Sequence, residues 1–278
     1  MESFTNEGLT FEVTDSGPAD GRTVIALHGF PEDRHCWRGL AGHLAGSGHR
    51  VVAFDQRGYS PGASPAGRRP YRIEHLTADV LALADQAGSP TFDVVGHDWG
   101  AVIAWQLAAA HPERVRTLTV LSVPHPRAFR KAMVTSTQVL HSWYMAFFQL
   151  PRLPERVLGV RGGRMLADSL VSSGLDRATA ERYAARAATP GALTGPINWY
   201  RGLPFGARDL PGPVSVPTLY VWGSRDRFVT PAAARRCGEY VTGPYRFVDL
   251  EGQTHWLHIE GAGQIALLVL EHLRTSVS

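Results

Sequence analysis

The sequence predicts an α/β fold with a mostly parallel, doubly wound sheet into which a helical segment is inserted. Apolar runs of strand length recur along the chain, helical patterns separate them, and this alternation stops between residues 127 and 212 before it resumes. The apolar runs are 23–27, 51–54, 92–95, 118–123, 218–222 and 247–250. Such runs are typical of parallel strands that are buried on both faces.

The helical patterns follow in order. Residues 73–87 carry apolar side chains at spacings of three and four, and residues 101–110 form a second pattern that ends at His111 and Pro112. From 127 to 212 there are helical patches at 128–150 and 176–188, a loop at 159–163 and no convincing strand. We therefore expect a core formed by residues 1–126 and 213–278. A helical cap, 127–212, should cover the carboxyl ends of the strands, where open α/β sheets bind ligands.

Composition narrows the class of protein. The 278 residues are 44% hydrophobic and 19% charged with a net charge of +3, which is ordinary for a globular chain. No nucleic-acid-binding motif is present, and no apolar stretch approaches the roughly 18 residues of a membrane span, so we expect neither partner. Cys36 and Cys237 lack disulfide or metal spacing, and the first residues lack a signal-peptide pattern. These features predict a cytoplasmic protein with reduced thiols.

One short motif carries the first chemical signal. The segment GHDWG, residues 96–100, lies between a strand-like run and a helical pattern, where hydrolases with a G-x-S-x-G turn place a nucleophilic serine. Here the central residue is Asp98. A carboxylate at a helix N-terminus is favoured in its ionised form. Asp98 is thus either a nucleophile or an ordinary N-cap.

Two later residues favour the nucleophile. Asp226 follows the run 218–222, and His255 follows the run 247–250. The order nucleophile, acid, histidine is that of α/β-hydrolase triads. An Asp226 carboxylate bonded to one ring nitrogen of His255 would orient the ring and leave the other nitrogen to take a proton from water.

A carboxylate nucleophile predicts a two-step reaction. Asp98 attacks an electrophilic carbon and forms an alkyl ester, which water activated by His255 then hydrolyses. The oxyanion of that second step needs fixed donors, and we expect the backbone N–H groups of Phe30 and Trp99. Phe30 precedes Pro31, and a cis bond is predicted there. Suitable substrates are halides, which N–H donors bind, and epoxides, whose oxygen needs an acidic O–H donor such as tyrosine.

Six motifs together resemble the soluble epoxide hydrolases of the α/β-hydrolase fold over nearly the whole chain. They are HGFP at 28–31, DQRGYS at 55–60, GHDWG at 96–100, G-x-x-D at 223–226, NWYR at 198–201 and THW at 254–256. The resemblance implies an α/β-hydrolase fold and an enzyme that converts an epoxide to a vicinal diol without cofactor or metal. It also implies that two cap tyrosines hold and protonate the epoxide oxygen, and these match Tyr144 and Tyr200.

The rest of the pocket is predicted from residue type and position. We expect its wall to include His28, Pro31, Trp143, Phe147, Trp199 and Trp256. Such a wall favours hydrophobic or aryl epoxides. Two positions depart from the family pattern: Ala101 follows GHDWG, and Thr254 precedes His255, where glycine is usual. The sequence does not predict the oligomeric state.

Other functions stay open. A haloalkane or haloacid dehalogenase would use the same triad. The grouping of His141, Trp143 and Tyr144 resembles fluoroacetate dehalogenases, but those have arginine where Trp99 stands. A ligand-binding protein without activity is a more distant alternative, since all three triad positions hold reactive residues. An esterase is disfavoured because the turn GHDWG has an aspartate at the position where a nucleophilic serine would stand.

Overall fold

The computed structural model describes residues 1–205 and 210–275. Within these ranges eight strands form one sheet: β1 (Ser3–Asn6), β2 (Leu9–Ser16), β3 (Arg22–Leu27), β4 (His49–Phe54), β5 (Phe92–His97), β6 (Val115–Leu121), β7 (Thr218–Gly223) and β8 (Tyr245–Leu250). Their order is β1-β2-β4-β3-β5-β6-β7-β8. The pairs β1–β2 and β2–β4 are antiparallel, and the others are parallel.

The six predicted strands are confirmed as β3 to β8, and the prediction missed β1 and β2. These two strands lie at the edge of the sheet and bury only some of their side chains, so they lack a continuous apolar run. Their buried aromatic residues, Phe4 and Phe11, stack with ring centroids 4.6 Å apart. Both rings also contact Phe54 of β4 edge-on, with centroids 5.2 and 5.9 Å away, and these contacts anchor the N-terminal hairpin to the rest of the sheet.

Helices cover both faces of the sheet. In chain order they are α1 (Arg38–Gly46), α2 (Ile73–Gln86), α3 (Trp99–Ala110), α4 (Pro126–Thr135), α5 (Gln138–His141), α6 (Trp143–Phe147), α7 (Leu153–Ser172), α8 (Arg177–Ala187), α9 (Thr194–Gly202), α10 (Pro231–Ala234), α11 (Leu257–Glu260) and α12 (Ala262–Thr275). Helices α1 and α12 pack in one buried apolar cluster, and α2 and α3 pack in the other. The predicted doubly wound α/β arrangement is confirmed.

Helices α4 to α9 lie between β6 and β7, and we call residues 126–205 the helical insertion. The patch predicted at 128–150 is three helices, because the chain turns at Ser136 and Ser142. The loop predicted at 159–163 is a non-helical kink within α7. There, a Cβ on Gly163 would stand 2.4 Å from the carbonyl oxygen of Ala184, so glycine permits α7 to approach α8 closely.

Some predicted boundaries are not tested. Residues 206–209 of the predicted cap and 276–278 of the predicted second core part lie outside the described residues. In the part of the chain that the structure covers, no helix is both long and apolar enough to cross a membrane.

Candidate active site

Asp98 stands on a strained turn between β5 and α3. Its backbone has φ +50° and ψ −117°, in the left-handed half of conformational space that side-chain-bearing residues seldom occupy. A Cβ on Gly100 would come within 1.9 Å of the carbonyl oxygen of Leu27, so glycine is required where the turn crosses β3. The Asp98 side chain makes no capping hydrogen bond to α3, and the N-cap alternative is therefore wrong.

The Asp98 carboxylate is held between two loops. Its Oδ1 accepts a 2.8 Å hydrogen bond from the backbone N–H of Phe30, and its Oδ2 lies 3.7 Å from Nε2 of His255. A Cβ on Gly29 would stand 2.3 Å from the Cβ of Asp98, which explains the glycine in HGFP. The Phe30–Pro31 peptide bond is cis, as predicted. One carboxylate oxygen is thus fixed, while the other is directed towards the histidine.

Asp226 and His255 are joined at the carboxyl ends of β7 and β8. Oδ2 of Asp226 accepts from Nδ1 of His255 at 2.8 Å, and its Oδ1 accepts the backbone N–H groups of Phe228 (2.7 Å) and Val229 (3.0 Å). Burial lowers the pKa of His255, but the nearby carboxylates of Asp226 and Asp98 outweigh this effect and raise it to about 10. With Asp98 as a free carboxylate, His255 therefore carries a proton at neutral pH.

A cavity of about 540 Å³ opens onto these three residues. Its lining includes four of the residues predicted for the pocket wall: Pro31, Trp143, Phe147 and Trp256. Leu140, Phe148, Leu158, Leu166, Leu170 and Phe228 make most of the remaining wall apolar. The cavity lies between the strand ends and the helical insertion, as expected for a ligand site in this fold.

Two predicted pocket residues are elsewhere. His28 is fully buried, and its ring contacts the carbonyl oxygen of Gly29 and accepts the backbone N–H of Gln56. Trp199 is also buried and donates its indole N–H to the carbonyl oxygen of Arg57. Both side chains are used to hold loops together, so neither lines the cavity.

Tyr144 and Tyr200 face the same cavity from α6 and α9. Their ring centroids are 5.9 Å apart with the planes at 79°. Burial, followed by the charge of Asp98, raises the pKa of both phenols above its ordinary value. Both tyrosines therefore stay protonated, and each is a possible O–H donor to a ligand in the cavity that Asp98 also lines.

Arg201, which follows Tyr200, has a structural task that the sequence analysis did not assign. Its buried guanidinium pairs with Glu155 and donates to the carbonyl oxygens of Phe148 and Leu150. These contacts connect α9 to the segment after α6. Arg201 thus fixes the spacing between the two tyrosine-bearing helices.

Three buried residues beneath the triad were also missed. Glu32, His97 and His258 come from distant parts of the chain, and their ligand-type atoms lie within 4.8 Å of one another. The sequence showed no such cluster because only the fold brings these positions together. The cluster has the residue types of a metal site, but Oε2 of Glu32 already accepts the backbone N–H of Gly29 and lies 2.9 Å from Nδ1 of His97, whose Nε2 contacts the carbonyl oxygen of His255. We therefore assign no metal to it.

Comparison with known proteins agrees with this geometry. The family model described as the alpha/beta hydrolase fold matches residues 22–262. Epoxide hydrolase A of Mycobacterium tuberculosis is 33% identical over 96% of this chain and 94% of its own length. The chain belongs to the epoxide hydrolases of the α/β-hydrolase fold. The AB hydrolase superfamily protein YfhM of Bacillus subtilis is 36% identical over 98% of this chain and 97% of its own length.

Solved structures of epoxide hydrolases are similar to this chain over nearly its whole length. The Bacillus megaterium epoxide hydrolase in complex with an inhibitor superposes with a TM-score of 0.85 at 25% identity, covering 98% of this chain and 99% of that one. Epoxide hydrolase A from Mycobacterium thermoresistibile gives a TM-score of 0.79 at 26% identity, with coverage of 98% and 97%.

The two departures from the epoxide hydrolase pattern are accommodated locally. Ala101 is fully buried in α3. The hydroxyl of Thr254 donates to Glu260 at 2.8 Å, and a Cβ on Gly174 would meet the Thr254 side chain at 2.5 Å. Gly174 of the loop after α7 thus leaves room for the Thr254 side chain, which is larger than the usual glycine. His255 keeps its bond to Asp226.

Proposed function

We propose that this chain hydrolyses an epoxide to a vicinal diol through an ester formed on Asp98. The observation that carries the proposal is the placement of a fixed carboxylate and two tyrosine hydroxyls in one apolar cavity, with a histidine at 3.7 Å from the carboxylate. An epoxide needs a nucleophile at carbon and an acid at oxygen in the same step. The membership of the epoxide hydrolases supports the same activity.

In the first step, Oδ2 of Asp98 attacks an epoxide carbon and the bond from that carbon to oxygen breaks. The oxygen takes a proton from Tyr144 or Tyr200, which leaves a hydroxyalkyl ester on Asp98. Because both phenols are buried, they hold their protons until the developing alkoxide makes transfer favourable. Two donors also orient the ring for attack.

Ester formation prepares the second step. The pKa of His255 is high while Asp98 and Asp226 are both negative, and esterification removes the charge of Asp98. His255 then releases its proton, which replaces the one given by the tyrosine. The neutral ring takes a proton from water, and hydroxide attacks the ester carbonyl. The N–H groups of Phe30 and Trp99 are proposed to stabilise the oxyanion. When the ester C–O bond then breaks, the leaving alkoxide takes the proton of the newly added hydroxyl, so the diol leaves and Asp98 is again a carboxylate beside the protonated His255.

The cavity wall supports a hydrophobic or aryl epoxide as substrate. Apart from the reacting groups it is built mainly of leucine, phenylalanine and tryptophan side chains, and such walls favour apolar ligands. We therefore expect kcat/KM for styrene oxide to exceed that for glycidol. Equal values for the two epoxides would contradict this assignment of the substrate class.

A dehalogenase is less well supported. Trp99, the candidate halide donor, does not line the cavity, and its ring packs edge-on against Trp199 and Tyr200. The donors that do line it are phenols, which suit an alkoxide. Purified protein should release diol from styrene oxide and no halide from 1-chlorobutane or chloroacetate. Halide release without diol would overturn the proposal.

We also propose that the chain consists of a core and a cap. Residues 1–126 and 213–278 would form the core, and 127–212 the cap that closes the cavity. The two cysteines are free and buried, which supports a cytoplasmic location.

A further inference from the structure

The loop that begins at the triad acid Asp226 is held against the helical insertion. We call residues 226–230 the acid loop. Within it, Oδ1 of Asp226 accepts the backbone N–H groups of Phe228 at 2.7 Å and Val229 at 3.0 Å. The carbonyl oxygen of Phe228 and the N–H of Thr230 are bonded to the insertion instead. The acid loop therefore joins the triad of the core to the insertion.

Gln138 of α5 makes that connection with a fully buried side chain. Its Nε2 donates to the carbonyl oxygen of Phe228 at 2.7 Å and to the hydroxyl oxygen of Ser142 at 3.0 Å. Its Oε1 accepts the backbone N–H of Thr230 at 2.8 Å and the hydroxyl of Thr230 at 2.9 Å. A carbonyl can only accept and an N–H can only donate, so these partners fix the orientation of the amide. Both N–H donors and both lone pairs of the Gln138 amide are used.

The Phe228 side chain extends this connection into the cavity. Its ring centroid lies 4.9 Å from that of His255 and 5.8 Å from that of Tyr144, and both contacts are edge-on. Phe228 also lines the cavity, whereas Gln138 does not. A movement of the acid loop would thus reach the histidine, a cap tyrosine and the cavity wall together.

We propose that Gln138 is a positioning residue that holds the acid loop, and through it the Asp226 carboxylate, in the geometry that ester hydrolysis requires. The inference rests on the proposed function, since it concerns the support of the histidine base. Gln138 acts only through the residues that it bonds, because its own side chain is outside the cavity. A side chain of the insertion therefore sets the geometry of a triad residue in the core.

The hydrogen-bond pattern explains why the carboxylate depends on Gln138. Without the amide, the Phe228 carbonyl and the Thr230 N–H would lose their partner inside the protein. Backbone groups buried without a partner are unfavourable, so the loop is expected to shift until water reaches them. Asp226 accepts the N–H groups of Phe228 and Val229 in the same loop, so its carboxylate shifts with them.

A displaced Asp226 carboxylate changes the proton affinity of His255. Burial lowers the pKa of His255, and the carboxylates of Asp226 and Asp98 outweigh this effect and raise it. The ring of His97 lies 4.7 Å from that of His255, and the ring of His258 packs on His97 at 4.3 Å, between centroids. When the bond to Asp226 weakens, the pKa of His255 falls and its neutral ring forms at lower pH.

The variant Gln138→Met keeps the length of the side chain and removes its hydrogen bonds. In single turnovers of styrene oxide by excess enzyme, ester hydrolysis should slow by about 10- to 100-fold, so the ester on Asp98 accumulates. Ester formation should change less than about threefold, because the nucleophile and the phenols stay in place. The rising limb of hydrolysis against pH should move down by about one unit, which a loss of stability alone would not cause.

Thr230→Val is a milder variant that decides the question if Gln138→Met does not fold. It removes the hydroxyl bond to Oε1 of Gln138 and keeps the backbone N–H bond. Hydrolysis should slow about two- to fivefold, and the limb should move in the same direction by a smaller amount. An unchanged hydrolysis rate with an unshifted limb in Thr230→Val would overturn the proposal.

Gln86→Met is the matched control. Gln86 of α2 also bridges two backbone groups, since its Oε1 accepts the N–H of Thr5 at 3.1 Å and its Nε2 donates to the carbonyl oxygen of Thr5 at 2.8 Å. This bridge lies at the β1 edge of the sheet, so the control should leave both chemical steps unchanged. If Gln138→Met also leaves both steps unchanged, or slows them equally with an unshifted limb, Gln138 is only structural and the proposal fails.

A titration of His255 separates this proposal from the proposed function. In ¹⁵N-histidine spectra of the free protein, His255 should titrate with a pKa of about 10 in wild type. Its pKa should be lower in Gln138→Met or, if that protein does not fold, in Thr230→Val, with the signal assigned by its loss in His255→Gln. Equal values would contradict the positioning role, whatever the reaction. A lowered value in a protein that forms no ester from styrene oxide would support the role of Gln138 and overturn the proposed function.

Discussion

The two halves of the active site are held by different forces. In the core, Asp98 and Asp226 accept backbone N–H groups of the loops around them, and His255 is bonded to Asp226. In the helical insertion, Arg201 ties the tyrosine-bearing helices together, but the phenol rings of Tyr144 and Tyr200 pack against Phe148, whose ring centroid lies 5.8 and 4.8 Å from theirs. Hydrogen bonds fix the direction in which a side chain points, whereas ring packing lets a side chain shift its position.

The core and the helical insertion also differ in how many large apolar side chains they expose. In the described chain, the exposed large apolar side chains lie almost all in the insertion: Val134, Val139, Leu140, Trp143, Leu150, Leu153, Val160, Met165, Leu203 and Phe205, with Leu267 the exception in the core. Leu140 and Trp143 also line the cavity. Under the proposed function, the core holds the reacting groups, and the apolar side chains of the insertion line the cavity that the epoxide would occupy.

The largest expected effect comes from the core nucleophile. Asp98→Ala removes the group that forms the ester, so kcat/KM for styrene oxide should fall by about 10³-fold or more. The melting temperature should fall slightly, because alanine keeps a Cβ in the same strained backbone and loses the hydrogen bond from the Phe30 N–H. Diol formation by Asp98→Ala at more than a tenth of the wild-type rate would show that water attacks the epoxide directly.

The tyrosines of the insertion should be partly redundant. Either Tyr144→Phe or Tyr200→Phe alone leaves one donor and should lower kcat by about 10- to 100-fold, and the double variant should lose about 10³-fold or more. Tyr183→Phe is the matched control, since Tyr183 is a buried tyrosine of the insertion whose hydroxyl lies outside the cavity. An unchanged kcat in the double variant would remove the phenols from the mechanism.

Arg201→Gln tests the support of the insertion. It breaks the buried pair with Glu155 and the contacts to the carbonyl oxygens of Phe148 and Leu150, so unfolding free energy should fall by about 2–3 kcal/mol. Catalysis should weaken about three- to tenfold as the tyrosines lose their spacing. Arg246→Gln, in an exposed pair with Glu271, is the control and should change neither by a measurable amount.

The last expected effect concerns stability and not catalysis, and it is a pH dependence that belongs to the core. His255 has its pKa raised to about 10 in the folded protein, so it binds its proton more tightly there than in the unfolded chain. This contribution is complete below about pH 6.5 and is lost as the pH rises towards 10. Urea unfolding of wild type and His255→Gln should show a difference that shrinks over this range. A constant difference would contradict the raised pKa.

The sequence predicted the core of the site better than its surroundings. Asp98, Asp226 and His255 each follow an apolar run of strand length, and local strand and turn signals were enough to place them at one edge of the sheet. His28 and Trp199 also had suitable residue types, but their side chains satisfy distant backbone groups. Such long-range hydrogen bonds leave no local pattern.

The cluster of Glu32, His97 and His258 was missed for the same physical reason. Glu32 is one residue beyond HGFP, His97 lies inside GHDWG, and His258 is three residues after His255. In the sequence, each of the three appears only as a residue in or next to a motif, with no role of its own. Only the fold, in which the loop after β3, the end of β5 and α11 meet, shows that these three side chains lie together in the interior.

The most direct test of the ester mechanism is a single turnover of styrene oxide by excess enzyme in ¹⁸O-water, with mass spectrometry of the diol and of the peptide that contains Asp98. The account predicts that the diol carries mostly ¹⁶O and that the label enters the Asp98 carboxylate, because water attacks the ester carbonyl. Label that enters the diol directly, with Asp98 unlabelled, would contradict the ester on Asp98.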